Sequence, residues 1–184
     1  MLLSFGGSDP QGLTLLAARA LAELPGRIEI VAVSGPAFSF RDALQALVAG
    51  LPRKITVIHE AGGHIADLMQ DADVVVCSGG MSVYEIAALG TPGVVLAQNA
   101  REDQRMRAFA RNGTLEYLGL GSEVEETALR LAVEALLADT PRRRAMSERG
   151  RELVDGLGAL RAAEVVLESE RRREEAHNGE GRGK

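Results

Sequence analysis

Six short, almost uninterrupted apolar runs recur along the chain, at 1–5 (MLLSF), 28–34 (IEIVAVS), 55–59 (ITVIH), 73–77 (DVVVC), 93–97 (GVVLA) and 114–118 (TLEYL). Runs this short that do not alternate with polar residues read as strands covered on both faces, the pattern of a parallel sheet. Amphipathic stretches between them predict helices at about 10–24, 40–50, 64–71, 82–89 and 101–112, with three more at 123–138, 141–155 and 157–175. Strand–helix alternation of this kind predicts an α/β fold: a doubly wound, Rossmann-like parallel sheet of six strands in the order 3-2-1-4-5-6. A composition of 46% hydrophobic residues with no Trp suits a core of Ala, Leu and Val, which 184 residues can bury as one domain.

Local punctuation agrees with those limits. Asp9-Pro10 reads as N-cap and first helical residue, Gly90-Thr-Pro92 as a stop, and Asn112-Gly113 as a left-handed helix end. The domain is expected to span 1–173, followed by a charged, disordered tail at 174–184 with almost no apolar residues.

A net charge of −5 argues against nucleic acid or an anionic membrane as the main partner. The arginine clusters at 142–144 and 171–173 adjoin acids and read as solvated helix faces. Cys77 has no second cysteine to pair with and lies in an apolar run, as a buried thiol in a reducing compartment would. With no apolar stretch near about 18 residues and no visible signal peptide, the expectation is a cytoplasmic protein without a transmembrane segment.

The expected strand order also locates the chemistry. Strands 1 and 4 are neighbours where the winding reverses, and ligands bind beyond their carboxyl ends. The two glycine-rich turns follow those two strands: Gly6-Gly7-Ser8-Asp9 and Ser78-Gly79-Gly80-Met81. Each opens a helix, whose first N–H groups favour an anion such as phosphate, although glycine also serves any tight turn. Ser82-Val-Tyr-Glu85 has the spacing of a capping box. The same two side chains also stand where a ligand would bind, so the spacing leaves both roles open.

Several familiar sites are absent. Neither turn is a G-x-G-x-x-G or P-loop motif, and Val33-Ser34-Gly35-Pro36 ends strand 2 without the acid a dinucleotide ribose needs. Asp71-Ala-Asp73 resembles a metal-binding D-x-D, but falls at the opposite edge of the sheet and reads as a turn. No cluster has metal-ligand spacing, so neither metal nor cofactor is expected. His64 either lines the ligand side or caps a helix.

Taken together, SFGGSDPQGLT, HIADLMQDADVVVCSGGMSVYEIAALGTPGVVLAQNAREDQ and ARNGTLEYLGLG resemble the C-terminal domain of GT-B enzymes. Within that group the chain is similar to the spore-coat polysaccharide proteins and the UDP-sugar hydrolase of the pseudaminic acid pathway. The lipid II N-acetylglucosaminyltransferase is a more distant likeness. The resemblance implies a domain that holds the nucleotide half of a UDP-sugar. Gly6, Gly7 and Ser8 would approach the diphosphate from one side, and Ser78, Gly79, Gly80, Met81 and Ser82 from the other. Glu85 matches the acid that holds the ribose hydroxyls, and Ala61 and Gly62 the backbone that meets uracil. Asn99 and Gln104 match positions that face the sugar. Asp103-Gln104 stands where the transferases carry Gln-Gln, so the sugar does not transfer.

The family's catalytic base lies in an N-terminal domain with a G-x-G-H-x-x-R-type segment. Gly62-Gly63-His64 falls in the uracil-side loop and is not given that role. A first strand that is central in the sheet yet starts at residue 1 suggests half of a larger assembly, completed by an N-terminal domain or a partner chain. The functional expectation is a UDP-sugar-binding half of a hydrolase or transferase. The alternative is a non-catalytic subunit that docks a separate acceptor-binding chain.

Overall fold

A computed structural model describes the backbone of residues 1–180 and the side chains of residues 1–173. The strands are β1 (Leu2–Ser4), β2 (Ile30–Ser34), β3 (Ile55–His59), β4 (Val75–Ser78), β5 (Gly93–Ala97) and β6 (Leu115–Leu120). All neighbouring strands are parallel and the order is β3-β2-β1-β4-β5-β6. The helices are α1 (Leu13–Ala22), α2 (Arg41–Gly50), α3 (Ile65–Gln70), α4 (Ser82–Leu89), α5 (Ala100–Phe109), α6 (Glu126–Ala138), α7 (Thr140–Leu153) and α8 (Gly158–Glu180).

Alternate residues of the strands feed two cores, one on each face of the sheet. Leu3, Val74 and Val76 pack with Leu21, Leu44, Leu129 and Val133 on the face covered by α1, α2 and α6. Leu2, Val75 and Cys77 pack with Met69, Ile86 and Met106 on the face covered by α3, α4 and α5. A fully buried Leu or Val contributes about 1.5–3 kcal/mol by leaving water, so both faces explain why the strands lack polar alternation.

The start of α1 differs from the expectation. The helix begins at Leu13 behind Gly12, whose backbone is left-handed (φ 65°), and Asp9-Pro10 precede it. Asp9 itself is left-handed (φ 39°), and its buried carboxylate accepts from Leu13 N at 2.9 Å and Thr14 N at 2.8 Å. It satisfies the helix end from four residues back. Gly90 (φ 73°) and Gly113 (φ 68°) do end their helices as the sequence predicts.

Residues Met1–Leu153 form one compact unit and the chain from Val154 a second. Within the second, α8 continues to Glu180, past the expected start of the tail at 174. Arg172 pairs with Glu168 one turn back at 2.5 Å, the kind of contact that lets a charged run stay helical. Residues 181–184 of the expected tail lie outside the described residues.

Candidate functional site

Register brings the two glycine-rich turns together. Ser4 of β1 stands opposite Cys77 of β4, so both strands release their chains at the same level, side by side. The turn after β2 joins them: a Cβ on Gly35 would lie 2.4 Å from Gly7 Cα, and Ala37 N donates to Gly7 O at 3.1 Å. Arg41 then ties this loop to the one after β3, donating to Gly35 O, Pro36 O and, at 2.9 Å, the Glu60 carboxylate.

Gly6, Gly7 and Ser8 are exposed, with Gly6 left-handed at φ 83°. The N–H groups that begin α1 are already taken by Asp9. That carboxylate also accepts from Gln98 Nε2 at 2.7 Å, while the Gln11 amide donates to Gln98 O. Gln98 is 6% exposed, and its Oε1 is buried without a hydrogen-bond partner.

The turn after β4 is arranged differently. Ser78 is buried at the strand end. Gly79 N donates to Glu102 Oε2 at 3.1 Å, an oxygen that also takes Gln98 N at 2.9 Å. Gly79 O accepts from Arg105 Nη2 at 2.6 Å. Gly80, Met81 and Ser82 have N–H groups with no partner among the described residues, at the start of α4. Met81 is the N-cap, and no side chain caps the helix. The Ser82–Glu85 capping box, expected as the state of the empty protein with Glu85 turning to a ligand when one binds, is therefore not formed. Its backbone reason is that Met81 is already helical (φ −69°, ψ −27°), which places Ser82 inside the first turn. Glu85 is exposed, without a hydrogen bond or ion pair among the described residues.

Asn99 is extended (φ −159°) and caps α5, its Oδ1 accepting from Glu102 N at 3.0 Å. Gln104 is exposed and unpaired among the described residues. Its neighbour Asp103 turns to β6, where Tyr117 OH donates to it at 2.5 Å and Arg107 Nε reaches it at 3.0 Å. The Tyr117 hydroxyl first, then Arg107, hold the Asp103 carboxyl below its ordinary value; burial first, then Asp103, pushes the Tyr117 phenol up. Ala61 is half-buried and Gly62 exposed at φ 56°, opening a 3-10 turn, Gly62–His64. His64 occupies the N-cap position of α3 but makes no capping bond, lying 3.5 Å from Asp67 and open to solvent.

No three His, Cys, Asp or Glu side chains are grouped to hold a metal among the described residues, and no described helix is long and apolar enough to cross a membrane. Asp71 and Asp73 line a groove of about 1170 Å³ at the amino ends of the strands, with Met1, Glu29 and Arg53, away from the glycine turns.

No family model matches the chain. It is 29% identical over 168 residues to the spore coat polysaccharide biosynthesis protein SpsG of Bacillus subtilis, over 90% of this chain and 49% of SpsG. It is 30% identical over 174 residues to the UDP-N-acetylglucosamine–N-acetylmuramyl-(pentapeptide) pyrophosphoryl-undecaprenol N-acetylglucosamine transferase of Histophilus somni, over 91% of this chain and 48% of that one. Among solved structures, MurG of Acinetobacter baumannii superposes with a TM-score of 0.71 at 20% identity, over 91% of this chain and 51% of MurG. The fold is that of a GT-B C-terminal domain. The chain spans about half the length of the curated relatives it matches.

On this GT-B half, the expected site residues fall on four segments at the carboxyl edge of the sheet: the loops after β1 and β3, the turn into α4 with its first turn, and the start of α5, while Gly35 after β2 braces the first. Two differ from expectation in their bonding. Gly79 presents no free N–H, and Asn99 spends its carbonyl oxygen on α5. Sequence reasoning passed over Gln98, Glu102 and Arg105, which tie the turns together. The Asn99-x-x-Glu102 spacing, that of a capping box, was the available signal for Glu102.

Proposed function

We propose that this chain is the UDP-sugar-binding half of a GT-B-type enzyme. The complete enzyme cleaves the sugar–phosphate bond of a nucleotide sugar, by hydrolysis or glycosyl transfer, in cell-surface polysaccharide or nonulosonic-acid biosynthesis. One observation carries the reading. The unpartnered N–H groups of Gly80, Met81 and Ser82 begin an α-helix beside the exposed Gly6-Gly7-Ser8 turn, with the unpaired Glu85 one turn further in.

Each part has a chemical use. The N–H groups at a helix start together favour an anion by about 0.3–1 kcal/mol at an exposed site and need no reorganisation when the diphosphate leaves with its charge. A carboxylate without an internal partner is free to accept from the 2′ and 3′ hydroxyls of a ribose. Ala61 and Gly62 offer backbone to the uracil edge, and Gln104 with the Asn99 amide offers polar contact to the sugar. The base that activates water or an acceptor belongs to an N-terminal GT-B domain or partner chain, so this half binds and does not turn over alone. The names of the relatives support the reading, one acting with a UDP-sugar and another in coat polysaccharide synthesis.

Calorimetric titration of UDP tests this directly, and absence of binding at millimolar UDP would sink it. Glu85→Ala is expected to weaken UDP about tenfold, the loss of hydrogen bonds to a charged acceptor, while leaving 2′,3′-dideoxy-UDP nearly unchanged. Equal loss for both ligands would remove Glu85 from the ribose.

A further inference from the structure

The diphosphate expected at the start of α4 meets acidic surroundings. Glu102 already holds Gly79 N and Gln98 N, the Asp9 carboxylate lies across the crevice on Gln98, and Glu85 is exposed in the first turn of the helix. Like charges repel, and the carboxylates closest to this turn in the chain's own bonding, Glu102 on Gly79 N and Glu85 in the first turn of α4, oppose a bound diphosphate. A cation beside the turn would offset that repulsion.

Among the described residues, one basic side chain is hydrogen-bonded to this turn. Arg105 Nη2 donates to Gly79 O at 2.6 Å, and that is the side chain's one hydrogen bond. A guanidinium carries five N–H donors in a planar fork suited to phosphoryl oxygens, so most of its donors are unused. The carbonyl it holds belongs to the peptide unit that carries the unpartnered Gly80 N–H; that peptide is trans, so the two groups point apart and the guanidinium reaches the donor side by leaving Gly79 O. Arg105 is exposed, so its long side chain is free to move from one partner to the other. Arg107, one residue beyond Met106 on the same helix, is committed to Asp103 instead.

We propose that Arg105 is a diphosphate-binding residue, exchanging its hydrogen bond with Gly79 O for phosphoryl oxygens held on the Gly80–Ser82 N–H groups. The assignment rests on the UDP-sugar reading of this site and adds to it the cation that the backbone donors lack. It also gives a reason for the contact in the empty protein: Gly79 O holds the guanidinium one peptide unit away from the first unpartnered donor.

UDP and uridine titrated into the wild-type chain, Arg105→Gln, Arg105→Lys and Arg107→Gln test it. Arg105→Gln is expected to weaken UDP about tenfold and uridine less than twofold, with Arg105→Lys between and Arg107→Gln unchanged. The wild-type UDP affinity should also fall more steeply with salt than that of Arg105→Gln. If Arg105 serves only to clamp the turn, the Gln variant loses UDP and uridine equally and melts at lower urea, which overturns the assignment. Undiminished UDP binding by Arg105→Gln overturns it alone. No UDP binding by the wild-type chain overturns it together with the functional reading beneath it.

Discussion

Gln98 Nε2 donates to Asp9 Oδ1 across 2.7 Å, joining the end of β5 to the turn after β1 over 89 residues of sequence. The same carboxylate takes the two N–H groups that open α1, so one buried side chain serves both the helix end and the crevice floor. Asp9→Ala strands three donors in a site where water has little access. The expected cost is about 2–4 kcal/mol, combining a lost helix cap with unsatisfied buried groups. Urea denaturation should show a lower midpoint at unchanged slope. Asp9→Asn should cost less, since one acceptor oxygen remains. A neutral Asp9→Ala would mean that the carboxylate is not the cap.

Two segments share the spacing of a capping box, and one of them supplies a side-chain cap. Asn99 caps α5 through its side chain, while Ser82 sits within α4 and caps nothing. Asn99→Ala is therefore expected to cost about 1 kcal/mol, and Ser82→Ala less than about 0.5 kcal/mol. Equal losses in chemical denaturation would restore the capping role to Ser82.

Much of this was legible because it depends on short-range pattern. The apolar runs specified strands, their continuity specified parallel pairing, and the position of two glycine turns marked where the winding reverses. What escaped the sequence depends on backbone angles and distant partners. Ser82 and Asn99 have the same neighbours in pattern, but Met81 is helical where Asn99 is extended, and that decides which side chain can cap. Asp9 reads as an N-cap, yet acts from four residues earlier because its left-handed backbone is held by burial against Gln98. Glu102 and Arg105 look like ordinary polar residues of a helix. Only the packing of α5 beside the β4 turn brings them to the N–H and the carbonyl of Gly79.

The contact between Gly35 and Gly7 links stability to the crevice. A methyl group at position 35 would stand 2.4 Å from Gly7 Cα and 2.5 Å from Gly7 O, and backbone of this kind cannot rotate aside. Gly35→Ala is expected to destabilise by about 1–3 kcal/mol and to weaken UDP by displacing the Gly6-Gly7-Ser8 turn. Gly63→Ala is the control, since a Cβ there meets nothing within 4 Å. Thermal melts and UDP titration of both variants check this. If Gly35→Ala matches Gly63→Ala in both, the close approach is not a constraint.

Cys77 lies on β4, buried and unpaired, one residue before the Ser78-Gly79-Gly80 turn. Burial first, then the charges of Glu85 and Glu102, push its thiol up from 9.0 to about 12. The unfolded chain releases this proton near the ordinary value while the folded chain keeps it. Across about pH 9 to 12 the unfolded state thus binds fewer protons, and stability falls as pH rises, by at most about 1.4 kcal/mol per pH unit from this group. Cys77→Ala should flatten that alkaline decline without abolishing it, because the Tyr117 phenol is also raised. At pH 8 the folded protein should resist iodoacetamide, and the thiol should react stoichiometrically once urea unfolds the chain. Alkylation of the native protein at the rate of a free thiol would show that β4 opens at the edge where the crevice forms.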